Sequence, residues 1–255
     1  MTESQVCCSC HQEKECFCLR NNVNRCADCI CDRAGRSVMD LFQKAIKAIP
    51  SPIHVLVAIS GGPSSLFLLD IMSKRLVPNM KGKTTIVRKL EAITSKDIFS
   101  EGYPITLPQD KEVIIPVNKI PQFTIQAVVD FANSHDFNCI ILGDNVNHIA
   151  LANLAALQCG RPELSCYISA DNYQTYQPIS IVRPARETLQ TETEFYCKHK
   201  KIPYDESISP FYKAFSVEFS MLNDIQKDSN AGIAFTVQRL GEKLPPLSYP
   251  GKCTS

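Results

Sequence analysis

A short apolar run followed almost at once by two glycines constrains the fold of this 255-residue chain more than any other feature. Val55 to Ile59 is rich in β-branched residues, which is typical of a strand buried on both faces of a parallel sheet. Gly61 and Gly62 follow the run, and apolar residues at helical spacing extend from Leu66 to Leu76. A strand, a glycine turn and a helix in this order predict an α/β fold.

The same alternation continues along the rest of the chain. Further strands are predicted at 84–94, 113–117, 139–142 and 179–182. Helices are predicted at 37–49, 123–135, 149–158, 188–200, 211–226 and 231–243, and a loop is predicted at 95–112. Because strands alternate with helices, we predict a doubly wound parallel sheet covered on both faces.

The N-terminal cysteines predict a metal site. Eight of the 13 cysteines lie in the first 31 residues, and a dense cluster without a secretory signal favours metal binding over disulfides. Cys7 and Cys10 form one pair with two residues between them, and Cys26 and Cys29 form another. Two such pairs supply four thiolates to one tetrahedral ion, so we predict a structural metal, with zinc favoured over an iron–sulfur centre.

The alternative is a set of reduced, unliganded thiols, which oxidation makes unfavourable. Four cysteines exceed the needs of one site, and the sequence leaves them open as alternative ligands, ligands of a second ion or spares: Cys8, Cys16, Cys18 and Cys31.

Composition divides the chain into a cysteine-rich zinc-binding module at 1–36, an α/β domain at 37–244 and a tail at 245–255.

The net charge is +1, from 27 basic and 26 acidic residues, so any nucleic-acid surface must be a local patch. We find no apolar signal segment at the N-terminus and no apolar stretch of membrane-spanning length. We therefore expect a soluble, cytoplasmic protein with no membrane partner.

The loop from Ser60 to Ser65 is the candidate ligand site. It lies at the carboxyl end of the first strand of the predicted sheet, where glycines let backbone N–H groups approach a phosphate and the next helix N-terminus attracts its charge. Two glycines alone are equally consistent with a tight turn that binds nothing. Their position between a buried strand and a helix favours a phosphate-binding geometry.

Further motifs accompany the cysteine pairs and this loop. Arg20 lies between the pairs, and the others follow in the order Leu142-Gly143-Asp144-Asn145, Gly160-Arg161, Arg183-Pro184 and Val237-Gln238-Arg239-Leu240-Gly241-Glu242-Lys243-Leu244. Together they resemble the pyrophosphatase-loop (adenine nucleotide α-hydrolase-like) superfamily. Within it, the chain most resembles the cytoplasmic tRNA 2-thiolation protein 2 family, including the Pro-Ser-Ser ending of the loop. The resemblance runs from about Cys7 to Leu244.

The resemblance implies a degenerate active site. Active members of the superfamily carry a lysine or similar residue and then an aspartate after the two glycines, where this chain has Pro63 and Ser64. A proline offers a phosphate neither an N–H nor a charge. Asp144 replaces a histidine of the active members, and Asn147 and His148 replace acidic residues that would help handle magnesium.

We therefore expect no catalytic residue and a vestigial nucleotide site at which ATP binding is disfavoured. The residues of this vestigial site are Ser60, Gly61, Gly62, Ser64, Ser65, Gly143, Asp144 and Asn145.

The later cysteines also depart from the catalytic pattern. Catalytic subunits of cytoplasmic thiolation carry one cysteine pair in mid-domain and another later, whereas this chain has no cysteine between 32 and 138. Cys139 and Cys166 fall in predicted strands, where buried, inert thiols are common. Cys197 precedes a run of basic residues that would lower a thiol pKa, but no second thiol stands near it, so an inert thiol is favoured.

Two basic clusters are candidates for RNA contact, one between Lys74 and Lys96 and one at 198–201. Such clusters can bind phosphates without reading sequence, although a solvated loop and a helix end are the favoured explanation for either cluster alone. The candidate residues are Lys81, Lys83, Arg88, Lys89, Lys198, Lys200 and Lys201.

The resemblance implies a non-catalytic subunit of the complex that 2-thiolates the wobble uridine of lysine, glutamine and glutamate tRNAs. Its partners would be a catalytic thiolase subunit, in a heterodimer, and a thiocarboxylated ubiquitin-related modifier as sulfur carrier. Two alternatives stay open: a self-sufficient ATP-dependent enzyme that adenylates and thiolates tRNA, and a zinc adaptor or nucleotide sensor.

Overall fold

The structure is a computed structural model that describes residues 4–20, 23–76, 86–94, 125–162, 164–170, 172–176, 178–204, 216–229 and 232–244. Several predictions lie outside these residues: the strand at 113–117, the loop at 95–112, the tail at 245–255, and the RNA-contact candidates Lys81 and Lys83. The chain forms two compact units. The first comprises 1–19, 23–145 and 171–207, and the second comprises 20–22, 146–170 and 208–255.

The first unit begins with three short strands, β1 (Ser4–Val6), β2 (Glu13–Phe17) and β3 (Arg25–Cys26), paired antiparallel in that order. The helix α1 (Ala27–Ile46) follows β3 directly. It starts earlier than the predicted helix at 37–49 because Ile30 and Ala34 extend the buried face of Val38 toward the N-terminus. The boundary predicted between residues 36 and 37 falls inside this helix.

In the described residues, the main sheet of the first unit has five strands. They are β4 (Ile53–Ile59), β5 (Val87–Thr94), β6 (Cys139–Ile141), β7 (Asn172–Tyr176) and β8 (Ile179–Val182). The order is β5-β4-β6-β8-β7, in which the first four strands are parallel and β7 is antiparallel. The predicted parallel α/β sheet is confirmed. The edge strand β7 was not predicted, since its sequence contains no apolar run.

Seven more helices follow in the described part of the chain: α2 (Pro63–Ile71), α3 (Ile125–Ser134), α4 (Val146–Gln158), α5 (Leu164–Ser169), α6 (Gln190–His199), α7 (Ser216–Ser229) and α8 (Gly232–Lys243). A π-helical turn at Met72–Leu76 extends α2. None of the described helices is long and apolar enough to cross a bilayer.

Successive residues of β4 enter two different hydrophobic cores. Val55, Val57 and Ile59 belong to a cluster that also contains side chains of α1, α2 and α6. Leu56 and Ala58 belong to a second cluster, which contains side chains of α3. Because side chains alternate between the faces of a strand, a strand covered on both faces needs a continuous apolar run. Helices cover both faces of the sheet, as the doubly wound prediction requires.

The second unit contains α4, α5, α7 and α8. Gly241 lets α8 approach α4 and α5, since a Cβ there would overlap Ser169 Oγ and lie 2.6 Å from Asn153 Nδ2. Asn153 Nδ2 donates to Ser169 Oγ at 2.8 Å. The guanidinium of Arg20 lies 4.3 Å from the ring centroid of Phe235 on α8. The closing motif at 237–244 and Arg20 thus contribute to packing within this unit.

Candidate functional site

The four paired cysteines converge on one point. The sulfurs of Cys7, Cys10, Cys26 and Cys29 all lie within 4.8 Å of one another. Cys10 Sγ and Cys26 Sγ are 3.8 Å apart, and a tetrahedral ion with Zn–S bonds of about 2.3 Å has edges of about 3.8 Å. The donor set and its spacing fit a single four-coordinate ion. An iron–sulfur cluster would hold its thiolates on separate irons and spread them further apart.

Backbone N–H groups favour the thiolate of Cys7. The amides of Ser9 and Cys26 donate to Cys7 Sγ at 3.4 and 3.3 Å. Backbone hydrogen bonds from Cys10 first, and then from Cys26 and Ser9, lower the pKa of Cys7 to about 5. Burial and hydrogen bonds to the neighbouring thiols raise the pKa of Cys29. The module therefore offers a metal one thiol that is already ionised at neutral pH and another that must lose a proton on binding.

Two contacts hold this cysteine module against α6. The rings of Phe17 on β2 and Phe195 on α6 meet edge to face, with centroids 4.8 Å apart. His199 Nε2 lies 3.3 Å from Asp28 Oδ1, and this hydrogen bond lowers the pKa of Asp28. The metal module and the end of α6 therefore form one surface of the first unit.

The glycine loop lies where the sequence predicts it, between β4 and α2. Gly61 has a φ of 83°, a conformation that glycine adopts without strain. Gly62 is the N-cap of α2, and Pro63 occupies the first turn. Because Pro63 has no N–H, this helix start has one donor fewer to offer an anion than an ordinary helix.

Side chains close the position of Ser64, at which the sequence resemblance implies an aspartate in active proteins. Ser64 is 3% exposed, and its Oγ accepts a hydrogen bond of 2.7 Å from Asn145 Nδ2. Ser64 Oγ also lies 3.4 Å from Gln190 Oε1 and 3.3 Å from Thr193 Oγ1, both on α6. Asn145 Nδ2 reaches the same Gln190 oxygen at 2.6 Å. We call Ser64, Asn145, Gln190 and Thr193 the Ser64 network.

The loop after β6 packs directly on the glycine loop. A Cβ at Gly143 would lie 2.7 Å from Ser65 Cα and 2.9 Å from Ser65 N, so only glycine fits. Ser65 Oγ in turn donates to the carbonyl of Gly62 at 3.0 Å. The residues of the predicted vestigial site therefore do come together, and they meet through direct contacts between the two loops.

Asp144, another residue of the predicted set, forms an ion pair instead, and Ser60 Oγ donates to Ser65 Oγ at 3.3 Å. Arg183 Nε donates to Asp144 Oδ2 at 2.9 Å. The Arg183 side chain is almost fully buried, and among the described residues its Nη1 has no hydrogen-bond partner. Arg183 was predicted as part of a motif but not as the partner of Asp144. Gln190 and Thr193 were not predicted at all, because they are distant from Ser64 in sequence and belong to no recognised motif.

Two of the later cysteines, Cys139 and Cys197, are buried thiols. Burial raises the pKa of Cys139 and of Cys197 to about 12. The basic residues after Cys197 do not lower its pKa, because its side chain points into the core and its Sγ lies 3.4 Å from the carbonyl of Pro63. The predicted strand position of Cys166 is wrong, since it lies in α5. Among the described residues, the N-terminal four are the only set of three or more cysteines, histidines or acidic residues able to hold a metal.

The described RNA-contact candidates differ in their environment. Lys198, Lys200 and Lys201 are exposed at the end of α6 and just after it. Arg88 is also exposed, on β5. Lys89 is already engaged: its Nζ donates to the carbonyl of His135 at 3.0 Å and lies 3.8 Å from the ring centroid of Phe137. The basic group at the end of α6 is therefore the better candidate surface.

Comparison with protein-family models and with curated proteins gives no match. Among solved structures, the chain is similar to a U34-tRNA thiolase, NcsA from Methanococcus maripaludis with its [4Fe-4S] cluster. The TM-score is 0.66 at 14% sequence identity, and the alignment covers 96% of this chain and 89% of that chain. The likeness shows that the two proteins share a fold.

Proposed function

We propose that this chain is a non-catalytic subunit of a cytoplasmic complex that 2-thiolates the wobble uridine of lysine, glutamine and glutamate tRNAs. It forms a heterodimer with a catalytic thiolase subunit, and sulfur reaches the complex on a thiocarboxylated ubiquitin-related modifier. The fold shared with a U34-tRNA thiolase supports a role in tRNA thiolation. The observation that carries the non-catalytic assignment is the closed Ser64 network.

The Ser64 network argues against ATP turnover. A buried hydroxyl that already accepts a bond from Asn145 offers neither the carboxylate nor the open space of an active loop. Pro63 adds no positive charge to hold a phosphate. Gly61 has a positive φ and Gly62 caps α2, whose Ser65 packs against Gly143, so the geometry of the turn explains the two glycines without a ligand.

The thiols support the same assignment. The single four-cysteine set of the described chain lies in the N-terminal module, and the buried thiols Cys139 and Cys197 remain protonated at neutral pH. Thiolates are the nucleophilic form of cysteine, so neither group is suited to carry sulfur. We assign the N-terminal set to a structural zinc ion, whose role is to fold the module that contacts α6.

The first experiment measures 2-thiouridine in bulk tRNA from cells that lack this chain, by mass spectrometry of digested nucleosides. We expect 2-thiouridine to be lost and wild-type chain to restore it. A double variant of the metal set, Cys10→Ser with Cys26→Ser, should fail to restore it. Normal thiolation in cells without the chain would contradict the role and favour a zinc adaptor or nucleotide sensor.

A second experiment separates the non-catalytic subunit from a self-sufficient enzyme, which the shared thiolase fold also allows. Ser60→Ala removes a loop hydroxyl that lies 3.3 Å from Ser65 Oγ. We expect this variant to restore thiolation in cells. We also expect the purified chain to release no AMP or pyrophosphate from ATP when tRNA and a sulfur donor are present. Thiolation by the chain alone would disprove the non-catalytic assignment.

A further inference from the structure

A fifth thiol lies beside the four-cysteine site. Cys16 on β2 is directly opposite Cys26 on β3 in the antiparallel pairing. Its side chain is half-buried, and its Sγ donates to the carbonyl of Gln5 at 3.4 Å.

The pairing of Cys16 with Cys26 suits a disulfide bond. Directly opposed residues of antiparallel strands have Cα atoms about 4.5–5.5 Å apart, and a disulfide accepts Cα separations of about 4.4–6.8 Å. The sulfurs of the two residues can therefore meet by side-chain rotation, without moving either strand.

The other surplus thiols lack this geometry. Cys18 is exposed one residue after β2, and Cys8 Sγ lies 3.7 Å from Ser9 Oγ on the surface. Cys31 is buried in the hydrophobic core. Cys16 thus combines a free thiol, partial access to solvent and a metal ligand directly opposite.

We propose that Cys16 and Cys26 are a redox modification site, at which a peroxide forms a Cys16–Cys26 disulfide and thereby expels the metal. Hydrogen peroxide oxidises one of the two thiols to a sulfenic acid, and the first water leaves. The other sulfur attacks the sulfenic sulfur, the S–S bond forms, and a second water leaves. Two thiols lose two electrons in total, and one peroxide is reduced to two waters.

The disulfide removes one of four ligands, and three thiolates hold a structural zinc ion less tightly than four. Since such modules fold with their metal, oxidation would also loosen the strands that carry Phe17 to its contact with Phe195. Reduction and added zinc reverse both steps. This inference does not depend on a role in tRNA thiolation, because it concerns only the chemistry of the module.

The test uses the full chain loaded with Zn²⁺ and treated with hydrogen peroxide. Released zinc is followed with a chromogenic chelator, and disulfides are mapped by mass spectrometry of peptides alkylated before reduction. Cys16→Ser removes the fifth thiol, and Cys18→Ser is the matched control, because it removes a neighbouring surplus thiol with no cysteine across the strand.

We expect wild type and Cys18→Ser to release zinc in step with a Cys16–Cys26 disulfide. Cys16→Ser should release zinc about tenfold more slowly, because its oxidised ligand lacks the neighbouring thiol that traps it. Equal rates in Cys16→Ser and wild type would overturn the proposal. A wild-type disulfide map dominated by Cys10–Cys26, or one that shows no disulfide at Cys16, would also overturn the proposal, and this result does not depend on the variants.

Discussion

Asn145 donates its Nδ2 hydrogen to Ser64 Oγ at 2.7 Å, and this bond ties the loop after β6 to the start of α2. Both residues are buried, and Gln190 and Thr193 of α6 complete the contact. The start of a helix that could face a phosphate is thus occupied by the protein's own amide and hydroxyl groups. A network of buried polar groups of this kind stabilises the fold only while each member keeps its partner.

We therefore expect Asn145→Ala to lower the free energy of unfolding by about 1–3 kcal/mol, because it removes one donor from the buried Ser64 hydroxyl and one from the Gln190 oxygen. Urea unfolding monitored by circular dichroism measures the change. Asn133→Ala is the matched control, because Asn133 is exposed on α3, and should change stability by less than about 0.5 kcal/mol. Equal effects of the two variants would contradict a structural role for the network.

Gly143→Ala should destabilise the protein, although the substitution adds only one methyl group. The added methyl group would lie 2.7 Å from a backbone carbon of Ser65, which cannot rotate away as a flexible side chain can. We expect a loss of stability of about 1–3 kcal/mol or more from this overpacking. Gly232→Ala is the control, because nothing lies within 4 Å of its added methyl group. Thermal unfolding should show a clearly lower melting temperature for Gly143→Ala than for Gly232→Ala.

Local patterns predicted most of the fold. Continuous apolar runs identified β4, β6 and β8, since a strand covered on both faces must be apolar at every position. The strand β7 escaped prediction, because an antiparallel edge strand of polar and aromatic residues shows no such run. The helix α5 escaped for a different reason: a helix of six residues is too short to display a period.

The candidate site was predicted only in part, for a related reason. Cysteine spacing is a local signal, and it predicted the four residues whose sulfurs converge. The partners of Ser64 lie far along the chain, and Gln190 and Thr193 approach it only when α6 packs against α2. The environment of Cys197 could not be predicted from its neighbours in sequence either. Those neighbours are basic, but burial in the core raises its pKa.

Metal content gives a third prediction. We expect the purified chain to bind one zinc ion, and Cys10→Ser to lose it, because three thiolates do not complete a tetrahedral site. Elemental analysis by mass spectrometry measures the ratio. Cys18→Ser should retain one ion, since Cys18 is not among the four converging thiols. Two ions per wild-type chain would instead indicate that the surplus cysteines form a second site.

Because the Cys139 thiol is buried, we expect the protein to lose stability at alkaline pH. Burial raises the pKa of Cys139 from an ordinary value of 9.0 to about 12, so the folded state prefers the neutral thiol. That preference is fully present below pH 9 and is lost as the pH rises toward 12, at about 1.4 kcal/mol per pH unit. Cys139→Ala should flatten this slope in urea unfolding between pH 9 and 11, whereas Cys159→Ala, at an exposed position, should leave it unchanged.

The exposed lysines at the end of α6 give the last prediction, which concerns tRNA. Replacing Lys198, Lys200 and Lys201 by alanine should weaken tRNA binding by the assembled complex and lower its dependence on salt. Each lost phosphate contact reduces the slope of log affinity against log salt by about one unit.

The control replaces Lys44 and Lys47 by alanine, since these exposed lysines lie elsewhere in the first unit, at the end of α1. Filter binding at several salt concentrations measures both slopes. If the two variants reduce the slope equally, charge alone and not this surface determines binding, and the tRNA contact must be sought elsewhere.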